Sequence, residues 1–202
     1  METKQKFFSI ITSVLNGEKF IEKLISSIKN QEFKNFEFIL VDGGSKDNTI
    51  KIIKKNSKFI NKIIFKKDNS MYEGISRGFG HATGKYFLWL NSDDFLFDKF
   101  SLQKLFLYLK KNNKEWVTCR TCFYSQKIKQ KKNYLPLIYP RFFISRGWCH
   151  SSGWGFIQQE NTIFRSDLYN KAGGIDTKYK QAGDFYLWKK FAKFSSLHSI
   201  NI

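Results

Sequence analysis

The sequence predicts an α/β fold: a mostly parallel central sheet flanked by helices, with a small antiparallel element in the second half. Three observations predict it. In the first half, four short apolar runs alternate with segments of helical periodicity. Each run is apolar at consecutive positions, as in strands buried on both faces. Three of the four end in a carboxylate, at Asp42, Asp68 and Asp93. Right-handed crossovers would bring those three tips to one edge of the sheet, where open α/β folds bind ligands.

Taken in order, Phe7 to Val14 reads as a buried first strand, broken by Asn16-Gly17. Phe20, Ile21, Leu24, Ile25 and Ile28 then recur at helical spacing, with Glu and Lys between them. Phe36 to Val41 is the second strand and runs into Asp42-Gly43-Gly44-Ser45. Asp47 or Asn48 caps the next helix, whose apolar face holds Ile50, Ile52 and Ile53. Ile60 to Phe65 is the third strand, ending near Asp68, and Met71–Phe79 is a helix. The fourth strand, Tyr86 to Leu90, ends in Asn91-Ser92-Asp93-Asp94. Farther on, Leu102–Leu109 reads as a helix. Trp116–Tyr124 and Lys127–Leu135 read as antiparallel strands, and Pro136–Gly155 as irregular. Glu160–Lys171 and Gln181–Phe194 read as helices. No internal repeat or low-complexity linker interrupts the 202 residues, so a single domain is expected.

Composition narrows the classes. A hydrophobic content of 42% with two prolines argues against a disordered chain. The net charge of +18 admits three readings: phosphate neutralisation, docking on an anionic membrane, or lysine solvation of ordinary helices. The lysines are spread along the chain and no nucleic-acid recognition motif appears, so no nucleic-acid partner is expected. No run of about 20 apolar residues is present, so the chain is not expected to be integral to a membrane. Three cysteines cannot all pair, which suits a reducing compartment. Cys119 and Cys122 form a C-x-x-C, but in a strand residues three apart face opposite ways, which is poor for chelation. Buried small side chains are the expected reading there, and His150 and His198 have no evident ligand partners.

The acidic tip carries the chemistry. Asp93 and Asp94 repel each other unless a positive group sits beside them, and a divalent cation carrying a phosphorylated ligand answers that need. Each acid alone reads first as a turn or cap residue; the coincidence of three at one sheet edge shifts the reading toward a site.

Several blocks in order resemble one family. They are Ile10-Ile11-Thr12-Ser13-Val14-Leu15-Asn16-Gly17-Glu18, then Leu40-Val41-Asp42-Gly43-Gly44-Ser45-Lys46-Asp47-Asn48-Thr49. Next are Asp68 with Met71-Tyr72-Glu73-Gly74-Ile75-Ser76-Arg77-Gly78, and Ala82-Thr83-Gly84 leading to Leu90-Asn91-Ser92-Asp93-Asp94. Last are Gln158-Gln159-Glu160-Asn161-Thr162-Ile163-Phe164-Arg165 and Ala182-Gly183-Asp184-Phe185-Tyr186-Leu187-Trp188. Together these resemble the inverting family 2 glycosyltransferases of the GT-A fold over nearly the full length.

The resemblance implies a donor-binding half, about 1–97, and an acceptor-side half, about 98–202. It implies that Thr12, Asn16, Glu18, Asp42, Ser45, Asp68, Gly74, Asn91 and Ser92 line the nucleotide-sugar site. Carboxylates there would accept hydrogen bonds from base N–H groups and sugar hydroxyls, and Gly43-Gly44 would let the backbone approach the ligand. Glu18 reads equally as a helix N-terminal acid favoured by the dipole. The tip corresponds to the family's DxD motif with Asn91 in its first position. An amide suits a ribose hydroxyl and is a weak cation ligand, so Asp93 is the expected metal ligand, for Mg²⁺ or Mn²⁺, with Asp94 as a neighbouring or turn residue. Asp184 is the implied catalytic base, with N-capping as its other role.

Glu160 would contact acceptor or metal surroundings, and Arg165 would face an acid or a phosphate. Trp148, Trp154, Tyr186 and Trp188 suit either sugar rings or core packing. The implied activity moves a hexose or hexose derivative from a UDP-, GDP- or dTDP-sugar to a hydroxyl of a glycan or lipid-linked acceptor. Surface polysaccharide or glycolipid synthesis is the implied setting, in the cytoplasm with peripheral contact at the inner face of the membrane. The other reading is a non-catalytic sugar-nucleotide or glycan-binding protein on the same fold. Asn91 favours that reading, as does a chain that stops soon after the Asp184 helix, where family members usually continue.

Overall fold

A computed structural model describes residues 5–125, 130–134, 137–151 and 156–202. Trp154 and part of the expected strand Lys127–Leu135 lie outside the described residues.

The first half follows the expected alternation. The elements are β1 (Phe8–Val14), α1 (Ile21–Lys29), β2 (Phe36–Asp42), α2 (Thr49–Lys55), β3 (Lys62–Phe65), α3 (Met71–Phe79) and β4 (Tyr86–Trp89). β1 pairs in parallel with β2 on one side and β4 on the other, and β2 pairs in parallel with β3. β1, β2 and β4 are mostly buried on both faces, whereas the edge strand β3 is partly exposed. Phe8, Ile10, Phe38, Leu40, Tyr86 and Leu88 pack on one face, with Leu24 and Ile28 of α1 above them. Ile11, Ile39, Phe87 and Trp89 pack on the other, against Tyr72, Ile75 and Phe79 of α3. The period-two alternation of a strand thus divides each apolar run between two cores.

The α3 start is written in sequence. Ser70 accepts from the Glu73 N–H at 3.2 Å, and Glu73 reaches back to the Asn69 N–H at 3.0 Å, close to a capping box. At α2 the N-cap position is Asn48, but its side chain makes no capping bond; Asp47 accepts from the Thr49 N–H at 3.0 Å instead.

The second half corrects several expectations. After α4 (Ser101–Asn112), the single strand expected over Trp116–Tyr124 divides into β5 (Trp116–Thr118) and β6 (Thr121–Ser125). β5 joins the main sheet, whereas β6 pairs antiparallel with β7 (Gln130–Tyr134) as a separate ribbon. The irregular stretch contains two short helices, α5 (Arg141–Arg146) and α6 (Trp148–Ser151). The helix expected over Glu160–Lys171 is instead a 3₁₀ turn (Gln159–Asn161), β8 (Thr162–Arg165) and α7 (Ser166–Lys171). β8 lies antiparallel between β4 and β5. Thr162, Ile163 and Phe164 are buried there, and a β-branched and aromatic run filling a two-sided slot overrides helical spacing. α8 (Gly183–Phe191) and β9 (His198–Ser199) complete a seven-stranded sheet of order β3-β2-β1-β4-β8-β5-β9.

Candidate active site

The tips of β1, β2, β4 and the start of α3 meet at the carboxyl edge of the sheet. The β1 tip turns at Asn16, whose φ of 54° is left-handed and tolerable for Asn. This loop is tied to the loop after β2. The Asn16 N–H donates to Ser45 Oγ at 2.8 Å, and Asn16 Oδ1 accepts from the Lys46 N–H at 2.9 Å. The Glu18 N–H donates to Asp47 at 3.1 Å, while Glu18 Oε2 accepts from the Asn48 backbone and side-chain amides. Asn16, Glu18 and Ser45 therefore set the spacing of the two loops with their own polar groups.

Asp42 is buried. Its Oδ1 accepts from the Gly44 and Ser45 N–H groups, each at 3.0 Å, while its Oδ2 has no partner. Asp68 sits beside it. A Cβ on Gly43 would lie 2.7 Å from Asp68 Oδ1, and one on Gly74 would lie 2.6 Å from Asp68 Oδ2 and 2.2 Å from Ser13 Oγ. Glycine at both positions admits the Asp68 carboxylate into the pocket. Burial pushes the Asp68 carboxyl up, against the pull of Arg77 and with the charges of Glu73 and Asp42 adding to the rise. Thr12 is fully buried with its hydroxyl unpartnered, whereas Ser13, the next residue on the strand, faces the cleft.

The tip after β4 is a turn closed by Asp94. Its Oδ2 accepts from the Asn91 N–H at 2.7 Å, and its own N–H reaches the Asn91 carbonyl at 3.2 Å. Burial pushes the Asp94 carboxyl up to about 7, with Glu160 and Asp93 as neighbouring charges. Asp94 is thus a turn residue, while Asp93 is exposed and faces the cleft. Asn91 Oδ1 is buried without a partner. Asp68, Asn91, Ser92 and Asp93 line one cleft of about 470 Å³ with Ser13, Leu15, Asn69, Ser70 and Met71.

Asp184 enters from α8. The N-cap position of that helix is Ala182, so Asp184 lies in the first turn and the capping role expected for it is not the one it has. The Tyr72 hydroxyl donates to Asp184 Oδ1 at 3.4 Å. A Cβ at Gly183 would lie 2.9 Å from the Tyr72 ring, so glycine lets the ring pass beneath the helix start. Burial, followed by the Asp184 charge, pushes the Tyr72 phenol up. Glu160, on the 3₁₀ turn, is the link to the β4 tip. Burial raises its carboxyl, and the charges of Asp184 and Asp93 add to the rise. Asp42 and Asp68 thus lie close enough to feel each other's charge, and Glu160 lies close enough to feel those of Asp93 and Asp184.

Ser13 and Tyr72 lie within the motifs, but no local pattern assigns them a role. The signal for Tyr72 is the glycine at 183, legible only where the two segments meet. Trp188 is core, stacked on Trp116 at 5.8 Å, and Tyr186 stacks on Tyr179 at 3.8 Å. Arg165 pairs with Asp167. Cys119 and Cys149 are free and buried, and burial pushes the Cys119 thiol up to about 12, as for an inert core thiol.

Among the described residues, no three His, Cys, Asp or Glu side chains are grouped to enclose a metal ion by themselves. Asp93 offers one accessible carboxylate with Glu160 and Asp94 nearby. That donor set fits a hard divalent cation that takes its remaining oxygens from phosphate and water, the usual habit of Mg²⁺.

The acids are gathered at the carboxyl edge of an open α/β sheet, the place where such folds bind ligands. The sequence profile described as Glycosyl transferase family 2 matches residues 9–173, and the chain belongs to that family. An uncharacterized glycosyltransferase of Rickettsia prowazekii is 30% identical over 196 residues, covering 94% of this chain and 60% of the relative. A PGL/p-HBAD biosynthesis glycosyltransferase of Mycobacterium bovis is 25% identical over 184 residues, covering 88% of this chain and 66% of the relative. Among solved structures, S. aureus TarS superposes with a TM-score of 0.74 at 19% identity, over 96% of this chain and 58% of the TarS chain. A mannosyltransferase from Pyrobaculum calidifontis, solved with GDP-Man and Mn²⁺, gives 0.73 at 17% identity, over 98% of this chain and 56% of that one. The fold is GT-A. The chain spans about 60% of the length of the first of these relatives.

Proposed function

We propose that this chain is an inverting glycosyltransferase domain that moves a hexose or hexose derivative from a nucleotide-diphosphate sugar to a hydroxyl of a glycan or lipid-linked acceptor, in surface polysaccharide or glycolipid synthesis. One observation carries the reading. Asp42 Oδ2, Asp68 Oδ2 and Asn91 Oδ1 are buried at the strand tips without hydrogen-bond partners. Buried acceptors left unmade are costly, and a ligand rich in N–H and O–H donors removes that cost. A nucleoside sugar is such a ligand. TarS is solved with UDP and with UDP-GlcNAc, and the P. calidifontis enzyme with GDP-Man, which supports a nucleotide-sugar donor here.

Asp68, Asn91 and Ser92 hold the nucleoside and sugar end of the donor. Asp93 would hold Mg²⁺ or Mn²⁺, with Glu160 and Asp94 beside it. When bound, the cation neutralises charge on the departing nucleoside diphosphate. Asp184 takes the proton of the acceptor hydroxyl as that oxygen bonds to the anomeric carbon. The bond between the anomeric carbon and the phosphate oxygen breaks, its electrons leave on the diphosphate, and attack from the opposite face inverts the configuration. Tyr72 orients Asp184 through its hydroxyl.

The test is nucleoside diphosphate release from a panel of UDP-, GDP- and dTDP-sugars, with Mn²⁺ and with chelator. Asp184→Asn is expected to lower turnover at least a hundredfold while keeping donor affinity. Asp93→Ala is expected to remove the Mn²⁺ dependence of donor binding. Donor binding without turnover on any acceptor would identify a non-catalytic sugar-nucleotide module. No affinity for any donor would sink both readings.

A further inference from the structure

Residues 137–159 contain Arg141 and Arg146, six aromatic residues and no Asp or Glu. Within them, Ile138 is 80% exposed, Phe156 57%, Phe142 52% and Trp148 44%. Large apolar side chains at such exposure, gathered in one region, mark a contact surface. They are gathered. The Tyr139 hydroxyl donates to the Phe156 carbonyl at 2.8 Å, which holds the ends of the segment together. The rings of Phe142 and Trp148 meet edge to face at 5.4 Å, and the Arg146 guanidinium lies 5.0 Å over the Phe142 ring.

The rim of this patch is cationic. Arg141 is fixed by the carbonyls of Ala192 and Lys193, at 2.6 and 2.7 Å. α5 packs on α8, whose last turn carries Lys189 and Lys190, and Lys193 follows exposed.

We propose that this surface, with Ile138, Phe142, Trp148 and Phe156 at its centre and Arg141, Arg146 and Lys193 at its rim, docks the chain on an anionic lipid bilayer. Charge complementarity selects the occupant. An acid-free segment with apolar aromatic residues inside a basic border matches the headgroup region of such a bilayer, where rings sit at the interface and cations meet anionic headgroups. Nucleic acid would satisfy the cations and leave Ile138 and Phe142 unused. α5 rests on the helix that begins with Asp184, so a bilayer at this face presents an amphiphilic acceptor beside the proposed base. That link to the acceptor rests on the transferase reading; the docking itself does not.

The experiment is co-sedimentation of the 202-residue chain with vesicles of phosphatidylcholine alone and of phosphatidylcholine mixed with phosphatidylglycerol. The chain is expected to pellet with the mixed vesicles, to stay in solution with the neutral ones, and to release as salt rises. Arg146→Glu and Ile138→Asp are each expected to weaken partitioning about fivefold or more. Ile138 is exposed enough that its substitution leaves the melting temperature unchanged, which separates lost docking from lost folding. A wild-type chain that ignores mixed vesicles overturns the proposal, as do variants that pellet like wild type. So does a solution dimer, seen by light scattering, that these same variants abolish. Nucleotide-sugar binding is measured on the same samples. Vesicle binding without donor binding defeats the transferase reading alone, and the reverse defeats the docking surface alone.

Discussion

Asp94 shows how one residue can hold a site together at a cost. Its carboxylate closes the β4 turn on the Asn91 N–H, yet burial raises it from 3.8 to about 7. The folded state therefore binds this proton more tightly than the unfolded chain does. Between about pH 4 and pH 7 the contribution of Asp94 to stability falls as pH rises; below that window both states are protonated, and above it the penalty is complete. Asp94→Asn keeps an oxygen for the turn and removes the charge. In metal-free buffer it is expected to melt above wild type at about pH 8 and level with it at about pH 4, by something on the order of 2–4 kcal/mol. A difference that does not grow across the window would rule out burial as the cause. Tyr72 gives a second prediction at this scale. Tyr72→Phe keeps the ring under Gly183 and loses the hydrogen bond to Asp184, so kcat is expected to fall about tenfold with donor affinity intact. Weaker donor binding with unchanged kcat would place the hydroxyl's role at the donor instead.

At the scale of elements, α3 supports the cleft by coming unusually close to β1. Gly74 is the point of contact, and an added Cβ would meet Ser13 Oγ at 2.2 Å and Asp68 Oδ2 at 2.6 Å. Gly74→Ala is expected to push α3 outward, costing about 1–3 kcal/mol in denaturant unfolding and abolishing nucleotide-sugar binding measured by calorimetry. Normal binding in that variant would mean Asp68 does not form the pocket. The first four strands were legible because each is a local apolar run bounded by turn residues. β8 was not, although Thr162-Ile163-Phe164-Arg165 has strand composition. It is four residues long and enters α7 with no intervening turn, so its spacing fits a helix equally well. Its partners, β4 and β5, are distant in sequence, and pairing with them is what fixes it as a strand. The break after Thr118 is similar: no residue in Thr118-Cys119-Arg120-Thr121 signals that the chain leaves one sheet for another.

At the scale of the whole molecule, β8 binds the two halves into one sheet. The division near residue 97 describes where donor and acceptor functions are proposed to lie, but the hydrogen-bonded sheet crosses it. We expect one cooperative unit. A fragment of residues 1–97 would leave β4 as a bare edge and uncover Phe87 and Trp89, which pack against second-half residues in the intact chain. That fragment is expected to be unfolded or aggregated by circular dichroism and light scattering, and the whole chain to show coincident near- and far-UV transitions. A folded, soluble fragment would show that the halves are independent. No helix among the described residues is long and apolar enough to cross a membrane.

The sequence by itself determined the alternation of strands and helices and the acids at their tips, because both follow from local patterns: consecutive apolar residues, helical spacing, and a carboxylate one step past a strand. The tertiary structure alone decided how those acids divide their work. It closes the β4 turn with Asp94 and leaves Asp93 free in the cleft. It commits polar groups of Asn16, Glu18 and Ser45 to joining two loops, and it brings Tyr72 and Glu160 beside Asp184. Apart from the local Asp94 turn, those outcomes depend on contacts between residues 29 to more than 100 positions apart, such as Asn16 with Ser45 and Tyr72 with Asp184, and separations of that kind carry no local signature in a chain.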